Sequence, residues 1–193
     1  MGQLNFSDLC HRLDGISKPT IAIVHGACVG GGVSLAACCD VVLAGESAFF
    51  SLPEVRVGLS PGPLVLYAIR GLGVRSLRRY LLSGERFDAT TALRLGLVHA
   101  VHPTTQLGAA LDDLIEALLL AAPAAQTRAK AILAKHHVSH ATDAELQTLQ
   151  SAFEAQMTGE EAREGRSSFR EKRKPNWSMG PSSSSRSHKS SLS

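Results

Sequence analysis

A chain of 193 residues, 44% hydrophobic and 5% aromatic, is one ordinary domain's worth of sequence and can bury a real core. Its formal net charge of +3 is mild and gathers toward the C-terminus, which argues against a nucleic-acid-binding face. No run approaches the ~20 apolar residues needed to cross a bilayer, and the N-terminus lacks a charged-then-apolar signal pattern. Cys10, Cys28, Cys38 and Cys39 show neither metal-ligand spacing nor a disulfide framework, so we expect reduced core thiols in a cytoplasmic protein with no membrane or nucleic-acid partner.

In chain order, Leu4, Phe6, Leu9, Cys10 and Leu13 fall on roughly one face of a helix that Gly15 ends. The β-branched run Thr20, Ile21, Ala22, Ile23 and Val24 has the length and composition of a buried strand. His25 and Gly26 break it, Gly30, Gly31 and Gly32 follow, and residues 33–39 form an apolar segment without a breaker that predicts a buried helix. The glycine triplet therefore sits where a strand turns into a helix. There the first peptide N–H groups have no partner inside the helix, and the positive end of the dipole favours an oxygen that gains negative charge. A tight turn is the plainer alternative for such a triplet. Further apolar runs at residues 41–44 and 48–50 predict two more strands. Glu54 then sits after Pro53 among Leu52, Val55, Val57 and Leu59. Apolar surroundings disfavour its ionised form and raise its pKa toward values useful in acid/base work. A Glu after Pro also suits the first turn of a helix.

Beyond Gly62 the pattern is helical. Residues 63–70 predict a helix stopped at Gly71, Leu72 and Gly73; residues 74–83 predict a second, stopped by Gly84. Asp88 reads as the N-cap of a helix ending at Gly96, with a short strand over residues 97–101. His99 and His102 flank that strand without a third ligand at fitting spacing, so no metal site is expected. Helices over residues 107–122 and 124–137 follow, the latter opened by Pro123 and closed by His136, His137 and His140 as a solvated end. Residues 143–157 put Leu146, Leu149, Phe153 and Met157 on one face. A Ser-rich, apolar-poor tail predicts disorder.

Taken jointly, Lys18 and Pro19, His25 and Gly26, the three glycines, Cys39 and Asp40, Pro53 and Glu54, Gly58 and Leu59, and Pro61 and Gly62 resemble the enoyl-CoA hydratase/isomerase family, the crotonase superfamily. Leu82, Gly84, Ala89, Ala92, Gly96, Leu97 and Val98, and the closing stretch through Lys172, Lys174 and Trp177, extend the resemblance over residues 5–177. It implies an α/β, crotonase-like (ClpP/crotonase) ββα-repeat spiral with a helical C-terminal region, lacking the N-terminal part of the fold and the second oxyanion-hole amide found there. It implies a partial crotonase core over residues 1–103, a helical trimerisation or lid region over 104–177 and the tail over 178–193. By resemblance, Gly31 donates its N–H to the thioester oxygen, Glu54 moves protons, and Gly30, Gly32, Pro61 and Gly62 line the substrate site, with Lys172 and Lys174 near CoA phosphates.

Hydratases of the family usually carry a second Glu where this chain has Ser34, which leaves Glu54 as the single acid/base. The implied activity is hydration or dehydration of a 2-enoyl-CoA. A Δ3,Δ2-enoyl-CoA isomerase and an acyl-carrier-protein thioester dehydratase are the alternatives, and a catalytically inactive form that assembles with a paralogue is the third. No cofactor is implied, the CoA thioester being the substrate. The partners implied are that acyl-CoA or acyl-carrier-protein thioester and further copies of the chain, as a homotrimer or hexamer.

Overall fold

The computed structural model describes residues 6–135 and 143–178. The chain opens with α1 (Phe6–Asp14) and then runs β1 (Ile21–Val24), β2 (Ala27–Val29), α2 (Gly31–Ala37), β3 (Val41–Gly45) and β4 (Phe49–Ser51). A 3₁₀ turn at Glu54–Val57 leads to α3 (Val65–Ser83), β5 (Phe87–Asp88), α4 (Ala89–Leu95) and β6 (Ala100–His102). Four helices close the described part: α5 (Leu107–Leu119), α6 (Pro123–Lys135), α7 (Asp143–Met157) and α8 (Glu160–Arg170).

The strands separate into two small sheets. One has the order β1-β3-β6 and is parallel throughout, with Ile21 beside Val41 and Leu43 beside Ala100. The other has the order β2-β4-β5, in which β2 and β4 run parallel and β5 returns antiparallel. Each strand pair therefore splits: its first strand joins one sheet and its second the other, with a helix after them. This is a ββα repeat, present here as β1-β2-α2 and β3-β4 followed by α3. The core lies between the sheets and α2, α3 and α4, centred on the fully buried Phe50, whose ring stacks on Phe87 at 5.6 Å. β3 reads as one apolar run because it is the central strand of its sheet and four of its five residues are buried.

Several expectations needed correction. β2 was not expected, because its three residues lie between two glycine-rich breaks and offer no alternation to detect. β5 was missed for the same want of length. β1 is half-buried rather than buried, since among the described residues it forms an edge and pairs with β3 alone. The predicted break between two helices stands but is narrower than residues 71–73: the two meet at a kink within α3, where Gly73 (φ 69°, ψ 151°) alone leaves helical geometry. The last core strand starts at Ala100, and Leu97 and Val98 are buried in the turn before it. On α1, Cys10 is buried as expected but Leu9 is exposed. His136, His137, His140 and the tail beyond Ser178 lie outside the described residues.

Asp88 caps α4 as expected, its carboxylate accepting from Thr91 N at 2.7 Å, and Gly96 (φ 89°) ends the helix in the left-handed region. His99 is structural: its Nδ1 accepts from Val42 N at 3.0 Å. Cys10, Cys28 and Cys38 are buried and free, and burial pushes the Cys28 thiol up to about 11. Replacing Asp88 by Ala removes the cap and is expected to lower stability by about 1 kcal/mol, read as a shift in the urea midpoint without a change in slope.

Candidate active site

A cavity of about 390 Å³ lies where the glycine loop, the 3₁₀ turn and α7 meet. α1 contributes Phe6 and Ser7, α2 contributes Gly31 and Ser34, and the turn contributes Glu54. The loop after the turn adds Pro61 and Gly62, α3 adds Val65 and Leu81, and α7 adds Gln150 and Phe153. The structure thus brings together Gly31, Ser34, Glu54, Pro61 and Gly62 of the residues expected from sequence.

The glycine loop owes its shape to two backbone bonds. Gly30 N donates to Ser51 O of β4 at 2.8 Å, and Val33 N donates back to Gly30 O at 3.0 Å. Gly31 and Gly32, the first two residues of α2, are left with N–H groups that have no acceptor inside the helix. Of the two, Gly31 faces the cavity; Gly32 packs toward Cys28, where an added Cβ would stand 3.8 Å from Sγ. Gly30 is in the left-handed region (φ 57°), and a Cβ there would come within 3.2 Å of Glu54 Oε1, so glycine leaves the carboxylate its place. Ser34 lies one turn into α2, 2% exposed, on the same cavity wall.

Glu54 opens the 3₁₀ turn directly after Pro53, as a Glu that follows Pro at the start of a helical turn. The turn is closed by Leu59 N donating to Glu54 O at 3.0 Å and by Gly58 (φ 72°). Arg56, two residues on, points away: its Nε donates to Ser83 O at 2.9 Å and its stem packs on Gly84. Glu54 therefore has no cation beside it from its own turn. Its Oε2 is buried without a hydrogen-bond partner among the described residues. Burial raises the pKa of Glu54 above its ordinary 4.5, and a hydrogen bond from its own backbone offsets only part of that.

The turn is held from behind by α8. A Cβ on Gly58 would lie 2.3 Å from the Glu161 carbonyl carbon, and one on Gly165 would lie 2.4 Å from the Val57 carbonyl carbon. Two backbones touch there directly, and only glycine permits it. α7 covers the next loop: Ser60 N donates to Gln156 Oε1 at 2.6 Å, and the Phe153 ring packs on Gly62. α1 is tied to α3 by the half-buried ion pair of Asp14 with Arg70, whose Nη1 donates to Oδ2 at 2.9 Å.

Lys172 and Lys174 are exposed and line no part of the cavity; between them Arg173 pairs with Glu164 and Glu171. Gly30 and Gly32 shape the site without lining it. Sequence reasoning missed Phe6, Ser7, Leu81 and Gln150 as cavity residues. The apolar spacing of α7 did signal Phe153, as part of a packing face. No group of three His, Cys, Asp or Glu side chains is gathered among the described residues, and no helix there is long and apolar enough to cross a membrane.

The enoyl-CoA hydratase/isomerase family profile matches residues 1–180, and the chain belongs to that family. An enoyl-CoA hydratase of Alternaria alternata is 33% identical over 86% of this chain and 56% of its own length. The 2,3-dehydroadipyl-CoA hydratase of Escherichia coli is 35% identical over 86% of this chain and 65% of its own. The crystal structure of an enoyl-CoA hydratase from Mycobacterium avium superposes with a TM-score of 0.82 at 32% identity, over 89% of this chain and 67% of that one. The fold is the crotonase fold, with a helical C-terminal region. The chain spans between 56% and 65% of the length of these two curated relatives.

Gly165→Ala is expected to push α8 off the turn, lowering stability by about 1–3 kcal/mol. Because the displaced backbone carries Glu54, the carboxyl should gain water and its pKa should fall back toward 4.5. An NMR titration of the folded variant checks this; an unshifted titration contradicts the seat described above.

Proposed function

We propose that the cavity performs proton transfer on an acyl thioester, hydrating a 2-enoyl-CoA or dehydrating the corresponding 3-hydroxyacyl-CoA. The observation that carries this is Glu54: a carboxylate with one oxygen unpartnered among the described residues, in an apolar cavity that Gly31 also lines. In hydration, Glu54 takes a proton from water as the oxygen adds to Cβ. Negative charge passes to the thioester oxygen, where the Gly31 N–H receives it, and the proton returns to Cα from Glu54. A donor of that kind is worth ~10²–10³ in rate. In this reading the Ser34 hydroxyl, on the same wall, holds the water.

A second reading rests on Ser34 itself. With one carboxyl in the cavity, Glu54 can instead carry a proton between Cα and Cγ, the chemistry of a Δ3,Δ2-enoyl-CoA isomerase. Turnover of 3-enoyl-CoA without incorporation of solvent oxygen favours this reading, and formation of 3-hydroxyacyl-CoA favours the first. Parallel assays with an acyl-carrier-protein thioester identify the carrier, and the absence of turnover with every substrate favours a catalytically silent member that assembles with a paralogue. Assembly into trimers or hexamers is supported by the exposed Leu119 at the end of α5 and Leu120 just after it, by Ile132 and Leu133 of α6 and by Phe169 of α8. We assign that role to the helical region, residues 104–177, and the chemistry to residues 1–103.

Glu54→Gln is expected to lower kcat/KM for crotonyl-CoA at least about a hundredfold, with circular dichroism unchanged. Retained turnover contradicts the assignment. The acting base is ionised, so wild-type kcat/KM should rise with pH through a value above 4.5.

Stability should run the other way. Below 4.5 the folded and unfolded states both hold the proton; above it the unfolded chain ionises first, so stability declines until the folded carboxyl ionises too. Glu54→Gln lacks this decline. Its stability advantage over the wild type should therefore grow from about pH 4 to about pH 7, as urea unfolding at the two pH values reads directly.

A further inference from the structure

We propose that this cavity selects an uncharged, apolar acyl group of short to medium length, and that Phe153 of α7 sets the length it accepts. The proposal rests on the acyl-thioester reading above and specifies the substrate class of the same site.

Glu54 is the one ionisable side chain that lines the cavity; no Lys, Arg or His does so among the described residues. The polar groups beside it are two serines, Ser7 and Ser34, and the amide of Gln150. Gln150 does not offer its amide freely, since Nε2 donates to Glu154 Oε1 at 2.6 Å. An acyl group ending in a carboxylate would thus bring a second negative charge into the enclosure of Glu54, with no cation to offset it. Both charges would be partly desolvated, the arrangement in which like charges disfavour each other most. A neutral alkyl chain meets the opposite conditions, with Leu52, Leu59, Leu64, Leu81 and Phe153 as its walls. Sequence identity does not decide the matter: a hydratase named for a dicarboxylic acyl group is 35% identical, and one named for mevalonyl-CoA is also 35% identical. The charge of the lining does.

Length follows from α7. The Phe153 ring stands against Gly62, where an added Cβ would lie 3.4 Å from Cγ. The helix that carries it is pinned one turn on by Gln156 accepting from Ser60 N. Phe153 is therefore a fixed wall, and the cavity volume of about 390 Å³ is at the small end of ligand sites.

Calorimetry on the full chain with saturated, unreactive CoA thioesters tests this. Hexanoyl-CoA should bind at least about a hundredfold more tightly than adipyl-CoA, although both carry the same CoA phosphates. Glu54→Gln should narrow that ratio by about tenfold or more, because the like charge is gone. Phe153→Ala should shift the preferred chain from hexanoyl toward decanoyl or palmitoyl. Equal binding of hexanoyl- and adipyl-CoA, or a ratio that Glu54→Gln leaves unchanged, overturns the charge selection. An unshifted chain preference in folded Phe153→Ala overturns the role of α7. Binding of neither thioester overturns the acyl-thioester reading itself, a result distinct from equal binding of both.

Discussion

The position of Glu54 depends on a contact that contains no side chain. Gly58 and Gly165 let the 3₁₀ turn and α8 meet backbone to backbone, at distances a single methyl group would violate. A side-chain contact can rearrange to accept a small change, but two touching backbones can only separate. The turn is therefore fixed from one side by α8, from below by its own Leu59-to-Glu54 bond, and from the loop side by the Ser60–Gln156 bond. The carboxylate projects from a rigid base into an apolar space, the condition under which burial rather than a partner sets its proton affinity.

The two halves of the site are built on opposite principles. The glycine loop removes side chains from the backbone that lines the cavity, and the bond from Gly30 N to Ser51 O ties it to β4. The Glu54 turn places a single charge and clears others from its vicinity: Arg56, the nearest cation in sequence, serves the carbonyl end of α3 instead. An ion pair with Arg56 would favour the ionised form of Glu54 and oppose the upward shift that burial gives its pKa. Ser34 fits the same economy, a small hydroxyl that leaves Glu54 the one carboxylate lining the cavity among the described residues.

Legibility from sequence followed the reach of each signal. The glycine triplet, the Pro53–Glu54 pair and the Asp88 cap are local, because their geometry is dictated within a few residues; each stands where it was expected. β2 and β5 escaped because strands of three and two residues cannot display a period. The break at Gly73 was visible but overextended, since Gly71 tolerates helical geometry within α3. Helical spacing announced α7 and its apolar face, though not that Phe153 and Gln150 complete a cavity with residues of α1 and α2. That pairing belongs to the tertiary fold, and no spacing records it. Lys172 and Lys174 are a different case: the expectation concerned CoA phosphates rather than the acyl cavity, and both lysines are exposed outside that cavity.

The wide separation of the touching segments also has a consequence in time. Ser60 and Gln156, which bond across the site, stand 96 residues apart in the chain. Contacts of such span form late, after local helices and hairpins are in place, because closing the intervening loop is entropically costly. During synthesis, the glycine loop, both sheets and the Glu54 turn leave the ribosome well before α7 and α8 do. The surroundings that raise the pKa of Glu54 are therefore complete only once both ends of that span have met, and local structure alone does not supply them.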